Sequence, residues 1–170
     1  MSQVISFPEP LAPVRKSVVV PLTPERAFRL FTEGLSTWWP LASHSISDDR
    51  AASCGLEPRV GGAVYEVRDD GERFVWGSIE VWEPPTRFVM RWHPGRDAAS
   101  GQQVEVRFSA APEGTRVDLE HRDWERLAER AEAARTSYDG GWDQVLARCF
   151  ADACSALAAE HAHSASGEER

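Results

Sequence analysis

Between Trp142 and Leu157 the apolar residues Trp142, Val145, Leu146, Cys149, Phe150, Ala153, Ala156 and Leu157 recur at helical spacing. At about 100° per residue they fill an arc of about 140°, and Asp143, Gln144, Arg148, Asp152 and Ser155 hold the rest of the circumference. A helix with one such stripe must lay it on another apolar surface. What precedes it is one strand, one short helix and at least six further strand-like runs joined by tight turns. The expected fold is therefore α+β: a curved, mostly antiparallel sheet wrapped around the long C-terminal helix. A sheet bent around a helix leaves a central cavity between them, and a ligand would sit there.

The strand runs carry their own registers. Val14 to Val20 reads as a first strand, and Thr23-Pro24-Glu25 starts a helix: a capping hydroxyl, a proline at the first turn, a carboxylate at the positive end. Gly61-Gly62 between two strand-like runs reads as a two-residue hairpin turn. It sets Val60 beside Ala63, Pro58 beside Tyr65 and Leu56 beside Val67, with that face inward. Glu57, Arg59 and Glu66 then form a solvated patch, unless the facing is inverted, in which case these charges become the polar anchors of a pocket. A turn at Asp70-Gly71 puts Trp76 beside Tyr65, and reconciling it with the next strand requires a bulge, placed at Gly77. Val104, Val106, Phe108 and Ala110 pair with His121, Leu119, Val117 and Thr115 across the last hairpin. Asp123 is expected to cap a short helix.

The domain is expected to span residues 14–158, with an irregular arm at 1–13 and a flexible tail at 159–170. Acidic residues outnumber basic ones, 27 to 19, for a net charge of −8, which argues against nucleic acid and anionic membrane surfaces as partners. No apolar run is long enough for membrane insertion. Three cysteines without paired spacing and no recognisable signal segment make a cytoplasmic location the expectation. His44, His93, His121, His161 and His163 show no metal-ligand spacing, so neither metal nor cofactor is expected.

Certain stretches, in order, resemble the START-like (SRPBCC, helix-grip) superfamily, and within it the branch named for the heat-shock-protein-90 ATPase activator homologue. They are Pro24-Glu25-Arg26-Ala27-Phe28, Trp38-Trp39-Pro40, Glu57-Pro58-Arg59-Val60-Gly61-Gly62, Trp76-Gly77-Ser78-Ile79, Glu83-Pro84-Pro85 and Gly140-Gly141-Trp142. The resemblance implies the helix-grip fold and three possible roles: carrier of an apolar small molecule, polyketide cyclase, or chaperone regulator. The eukaryotic activator has an extra N-terminal domain that residues 1–13 are too short to supply, which ranks the chaperone role third.

The seven tryptophans are spread over most of the chain. Trp38, Trp39, Tyr65, Trp76, Trp92, His121 and Trp124 are the candidate ligand-binding residues, because large rings pack against flat or apolar molecules and their polar tips orient them. The alternative is that the rings fill the interior. Trp142 reads as core. His121 is either a core histidine with satisfied partners or a polar contact in the pocket. The first functional expectation is binding of a small hydrophobic or aromatic molecule without catalysis. The second is a cyclase or dehydratase using His121, with Tyr65 or Arg59, to move protons. Oligomeric state is left open.

Overall fold

Seven strands hydrogen-bond in the order β1-β7-β6-β5-β4-β3-β2, every pair antiparallel. The computed structural model describes residues 11–167. The strands are β1 (Val14–Val20), β2 (Ala51–Leu56), β3 (Ala63–Arg68), β4 (Arg73–Glu83), β5 (Arg87–Trp92), β6 (Gln102–Ala111) and β7 (Gly114–Arg122). The helices are α1 (Pro24–Thr32), α2 (Leu35–Trp38), α3 (Ala131–Trp142) and α4 (Ala151–Gly167), and a π-helical stretch, Asp143–Phe150, joins the last two into one rod. The sheet curls into a half-barrel around this rod. This is the helix-grip fold.

Local chemistry explains most of these boundaries. Thr23 caps α1 by accepting from the Arg26 amide at 3.3 Å, with Pro24 in the first turn. The β6–β7 register is the one that alternation predicts: Val104 faces His121, Val106 faces Leu119, Phe108 faces Val117 and Ala110 faces Thr115.

The first hairpin differs from expectation. Leu56 pairs with Val64, Gly55 with Tyr65 and Cys54 with Glu66. Gly61 and Gly62 are not a two-residue hairpin turn: they end a longer connection between β2 and β3, in which the Gly62 amide donates to the Arg59 carbonyl at 2.9 Å. The Gly61 amide donates to the Ile79 carbonyl, and the Ile79 amide to the Gly62 carbonyl, each at 2.8 Å, so the two glycines dock on β4. Pro58 has no amide to give a ladder, and Glu57 caps the start of β3 through its Oε1, 2.8 Å from the Ala63 amide. Parity therefore flips. Val64 and Glu66 point inward and are buried, and Tyr65 instead lies under the Arg73 guanidinium, 3.6 Å from its ring centre.

In β4, Trp76 is the extra residue opposite β3, since Tyr65 pairs with Val75 and Val64 with Gly77. The bulge thus falls beside Gly77 and buries Trp76 and Gly77 together. Glu80 is a second extra residue, opposite β5. The turn before β4 holds three residues rather than two: the Gly71 amide donates to the Arg68 carbonyl at 2.9 Å, with Gly71 at φ +87°.

Asp123 makes no cap. It sits at φ 71° and re-aims the chain after β7, so that Trp124 tucks fully inside. The terminal rod begins eleven residues before Trp142, and its backbone stays helical through Gly167, beyond the expected boundary at residue 158. Of the expected arm, residues 1–10 lie outside the described part, as do residues 168–170 of the expected tail.

Candidate functional site

Two aromatic clusters divide the interior. Beneath α1, Phe28, Phe31, Phe88, Phe108 and Phe150 meet at ring-centre distances of 5.0–6.3 Å. Trp38 belongs to this cluster: it packs at 5.0 Å on both Phe31 and Phe150 and donates to the Leu30 carbonyl at 3.0 Å. These rings fill space.

The second cluster is Trp39, Trp76, Trp92 and Trp142, with ring centres 5.2–6.0 Å apart. These four indoles wall an open cleft of about 420 Å³, within the usual range for ligand sites. Ser43, His44, Ser45 and Ile46, from the segment after α2, form one side. Tyr138, Gly141 and Val145, from the terminal rod, form the other.

The cleft wall is fixed from behind by a buried carboxylate. Glu66 Oε1 accepts from the Trp76 indole and from the Ile46 amide, each at 2.6 Å, and Oε2 accepts from the Ser47 amide at 3.0 Å. Burial pushes this carboxyl up, but the amide and indole donors outweigh it and hold it below the usual glutamate value of 4.5. The Trp39 indole donates to the His44 carbonyl at 2.7 Å, so the segment is tied at two points.

The polar groups facing the cleft are few. His44 Nδ1 lies 2.7 Å from Ser43 Oγ. Tyr138 Oη accepts from the Trp92 indole at 3.1 Å, and among the described residues its own proton has no acceptor. Burial pushes the Tyr138 phenol up, so it stays protonated and able to donate.

His121 stands behind this wall. Its Nδ1 accepts from the Trp142 indole at 3.0 Å, which leaves the proton on Nε2, 3.3 Å from Gln102 Oε1. It stacks on Trp124 at 4.1 Å and meets Tyr138 at 4.8 Å. Burial lowers its pKa to about 3, so the ring is neutral and both nitrogens are engaged. Of the seven residues named from sequence, Trp39, Trp76 and Trp92 line the cleft. Trp38, Tyr65, His121 and Trp124 do not.

Sequence reasoning passed over Ser43 and Tyr138, weighed His44 only as a metal ligand, and held the inward role of Glu66 as the alternative facing. Tyr138 precedes the stretch where the apolar stripe begins, and His44 lies in a polar segment with no periodicity. For Glu66 the signal existed, as the inverted facing of its strand. Burial raises the thiols of Cys54 and Cys154 to about 12, which makes them poor nucleophiles. Among the described residues, no group of three His, Cys, Asp or Glu side chains gathers to hold a metal ion, and no helix is long and apolar enough to cross a membrane.

Comparison with known proteins gives consistent neighbours. The model of the family described as Activator of Hsp90 ATPase homolog 1-like protein matches residues 21–153. No curated protein sequence gives a match. Among solved structures, the anthrahydroquino-γ-pyrone synthase Txn09 is 35% identical, over 86% of this chain and 99% of its own, with a TM-score of 0.59. Protein MLL2253 from Mesorhizobium loti is 17% identical, over 81% of this chain and 93% of its own, with a TM-score of 0.60. The AHSA1-like protein from Aeromonas hydrophila is 19% identical, over 85% and 93%, with a TM-score of 0.58. The last two show the shared fold.

Proposed function

The chain belongs to the Activator of Hsp90 ATPase homolog 1-like family, and from that premise we propose that it is a cyclase-type enzyme, holding a planar polycyclic aromatic molecule in the tryptophan-walled cleft and closing an oxygen-containing ring on it. The sequence alone ranks non-catalytic binding first and cyclisation second. The observation that reverses this order is the cleft's composition. Four indoles, tilted to one another, make its apolar wall, and a histidine with a free Nε2 and a protonated tyrosine whose hydroxyl proton is unspent line the same space.

The neighbour that shares 35% identity is an anthrahydroquino-γ-pyrone synthase. That supports a fused tricyclic aromatic as the substrate class and a pyranone as the ring formed. Contact with indoles favours extended planar rings over flexible chains, which supports the same class.

Tryptophan quenching tests the binding half directly. Titration with the anthraquinone danthron is expected to quench the cleft indoles with a Kd on the order of micromolar, the affinity of an ordinary small-molecule site. A protein whose fluorescence ignores danthron and every other planar polycycle tried does not work as proposed.

A further inference from the structure

We propose that His44 moves the protons in this cleft, with Ser43 as its positioning residue and the Tyr138 hydroxyl as the donor that polarises the carbonyl under attack. The proposal rests on the cyclase reading above and adds the groups that perform it.

Three observations carry it. First, His44 is held rigidly. Its amide donates to the Pro40 carbonyl at 2.9 Å, its carbonyl accepts from Trp39, and the amides of Ile46 and Ser47 are fixed on Glu66. Second, its ring is oriented. The Ser43 hydroxyl reaches the Pro40 carbonyl at 3.4 Å and Nδ1 at 2.7 Å. With its hydrogen turned to Pro40, it accepts from Nδ1–H, which leaves the Nε2 lone pair free to act as a base. Third, Nε2 has no partner among the described residues and faces the terminal rod at Gly141. A Cβ placed there would stand 3.9 Å from it. Tyr138 lies three residues earlier on α3, on the same helix face. The imidazole nitrogen and the unspent phenol therefore address one space from the two sides of the cleft.

The chemistry closes without an outside reagent. In an aryl β-diketone with an ortho hydroxyl, Nε2 takes the phenol proton while the phenol oxygen forms a bond to the distal ketone carbon. The Tyr138 hydroxyl steadies the growing negative charge on the ketone oxygen, and the imidazolium returns its proton to make a hemiketal. Nε2 then removes a proton from the carbon between the aryl ketone, which persists, and the hemiketal carbon. A carbon–carbon double bond forms, the hemiketal C–OH bond breaks, and the departing hydroxide takes the proton from the imidazolium. The products are one pyranone and one water, with no change of oxidation state.

The test uses ortho-hydroxydibenzoylmethane, whose ring closure gives flavone and is followed by absorbance, with danthron affinity measured in parallel. The full-length protein is expected to accelerate closure over buffer. His44→Gln should bind danthron within about twofold of wild type and lose on the order of a hundredfold or more in rate, the usual contribution of a positioned acid–base group. Added imidazole should restore part of the rate to His44→Ala, which a merely structural role would not allow. Tyr138→Phe should lose at least about tenfold in kcat. Ser43→Ala should lower kcat with KM unchanged, and Ser43→Thr should restore it. His44→Gln that stays folded, binds danthron and keeps the wild-type rate overturns the assignment. So does a wild-type protein that binds danthron yet closes the diketone no faster than buffer, although the cleft then remains a site for planar rings. Binding of neither compound overturns this proposal together with the reading it rests on.

Discussion

Glu66 Oε1 lies 2.6 Å from the indole nitrogen of Trp76, and the same oxygen takes the amide of Ile46. One buried carboxylate therefore sets both the floor of the cleft and the segment that carries His44. A carboxylate placed among three N–H donors is favourable only while all three use it; removed, it leaves them buried and unpaired.

Glu66→Ala is accordingly expected to lower unfolding free energy by about 3 kcal/mol, the penalty scale for stranded buried donors. Danthron affinity should fall by about tenfold as Trp76 and residues 44–47 loosen, equivalent to about 1.4 kcal/mol. Glu66→Gln turns an amide NH₂ toward at least one N–H and should also be destabilising. Denaturant melts and fluorescence titration of both variants check this. Wild-type stability in Glu66→Ala would mean that the carboxylate pins nothing.

His121 gives the protein a pH dependence of defined sign. The unfolded ring takes up a proton below about 6.5, whereas the folded ring stays neutral down to about 3. The unfolded state therefore binds more protons across that window, and stability must rise with pH from about 3 to 6.5 and level off above it. Well inside the window the slope due to this ring is about 1.4 kcal/mol per pH unit. His121→Gln should be less stable at neutral pH, having lost the fitted bond from Trp142, and should show a correspondingly flatter profile between pH 6 and 4. In NMR titrations the His121 ring resonances should not move from neutral pH down to about 4. A ring that titrates near 6 would show that it is open to water.

Much of the fold is legible in the sequence because period-2 and period-3.6 patterns report burial directly. The β6–β7 register follows from alternation alone, and the apolar stripe from helical period as far as Phe150; beyond the π-helical stretch, Asp143–Phe150, Cys154 is buried and Ala156, counted in the stripe, is exposed. The β2–β3 register is not legible in that way. Gly61-Gly62 satisfies a hairpin turn and a docking site on β4 equally well as a string of letters. Only the hydrogen bonds to Ile79, a residue of another hairpin, decide between them. That single ambiguity reverses the facing of Tyr65 and Glu66: it takes Tyr65 out of the expected site and brings Glu66 in behind it. Trp39, Trp76 and Trp92 survive the reversal, since their placement rests on α2, the bulge and β5. Ser43 and His44 belong to an aperiodic segment whose shape is set by distant partners, Trp39 and Glu66, so no local pattern marks them.

Gly77 is the position where the bulge tolerates no side chain. A Cβ there would stand 1.9 Å from the Arg91 carbonyl oxygen, which is backbone of the neighbouring strand and cannot move aside cheaply. Gly77→Ala should therefore separate β4 from β5 locally and cost more than about 2 kcal/mol, a large effect for one methyl. Because Gly77 pairs with Trp92, the same change should shift the tryptophan emission of the cleft. An alanine variant with unaltered melting and emission would show that the strands are not in contact as described.

The two glycines before Trp142 offer a cleaner separation of cleft from scaffold. Both lie inside α3, where glycine is about 0.5–1 kcal/mol poorer than alanine. A Cβ on Gly140 meets nothing within 4 Å, and one on Gly141 meets only His44 Nε2 at 3.9 Å. Gly140→Ala should thus stabilise the protein by about 0.5–1 kcal/mol and leave danthron binding untouched. Gly141→Ala should stabilise it similarly, because 3.9 Å is ordinary contact. Gly141→Leu places a branched chain between the rod and the imidazole. It should keep the fold while weakening danthron binding by at least about tenfold, since the added volume occupies the space a ligand needs. Thermal melts alongside fluorescence titration separate the two effects. Equal danthron affinity in Gly140→Ala and Gly141→Leu would mean that the ligand does not enter between His44 and α3, and the cleft would have to be sought elsewhere on the sheet.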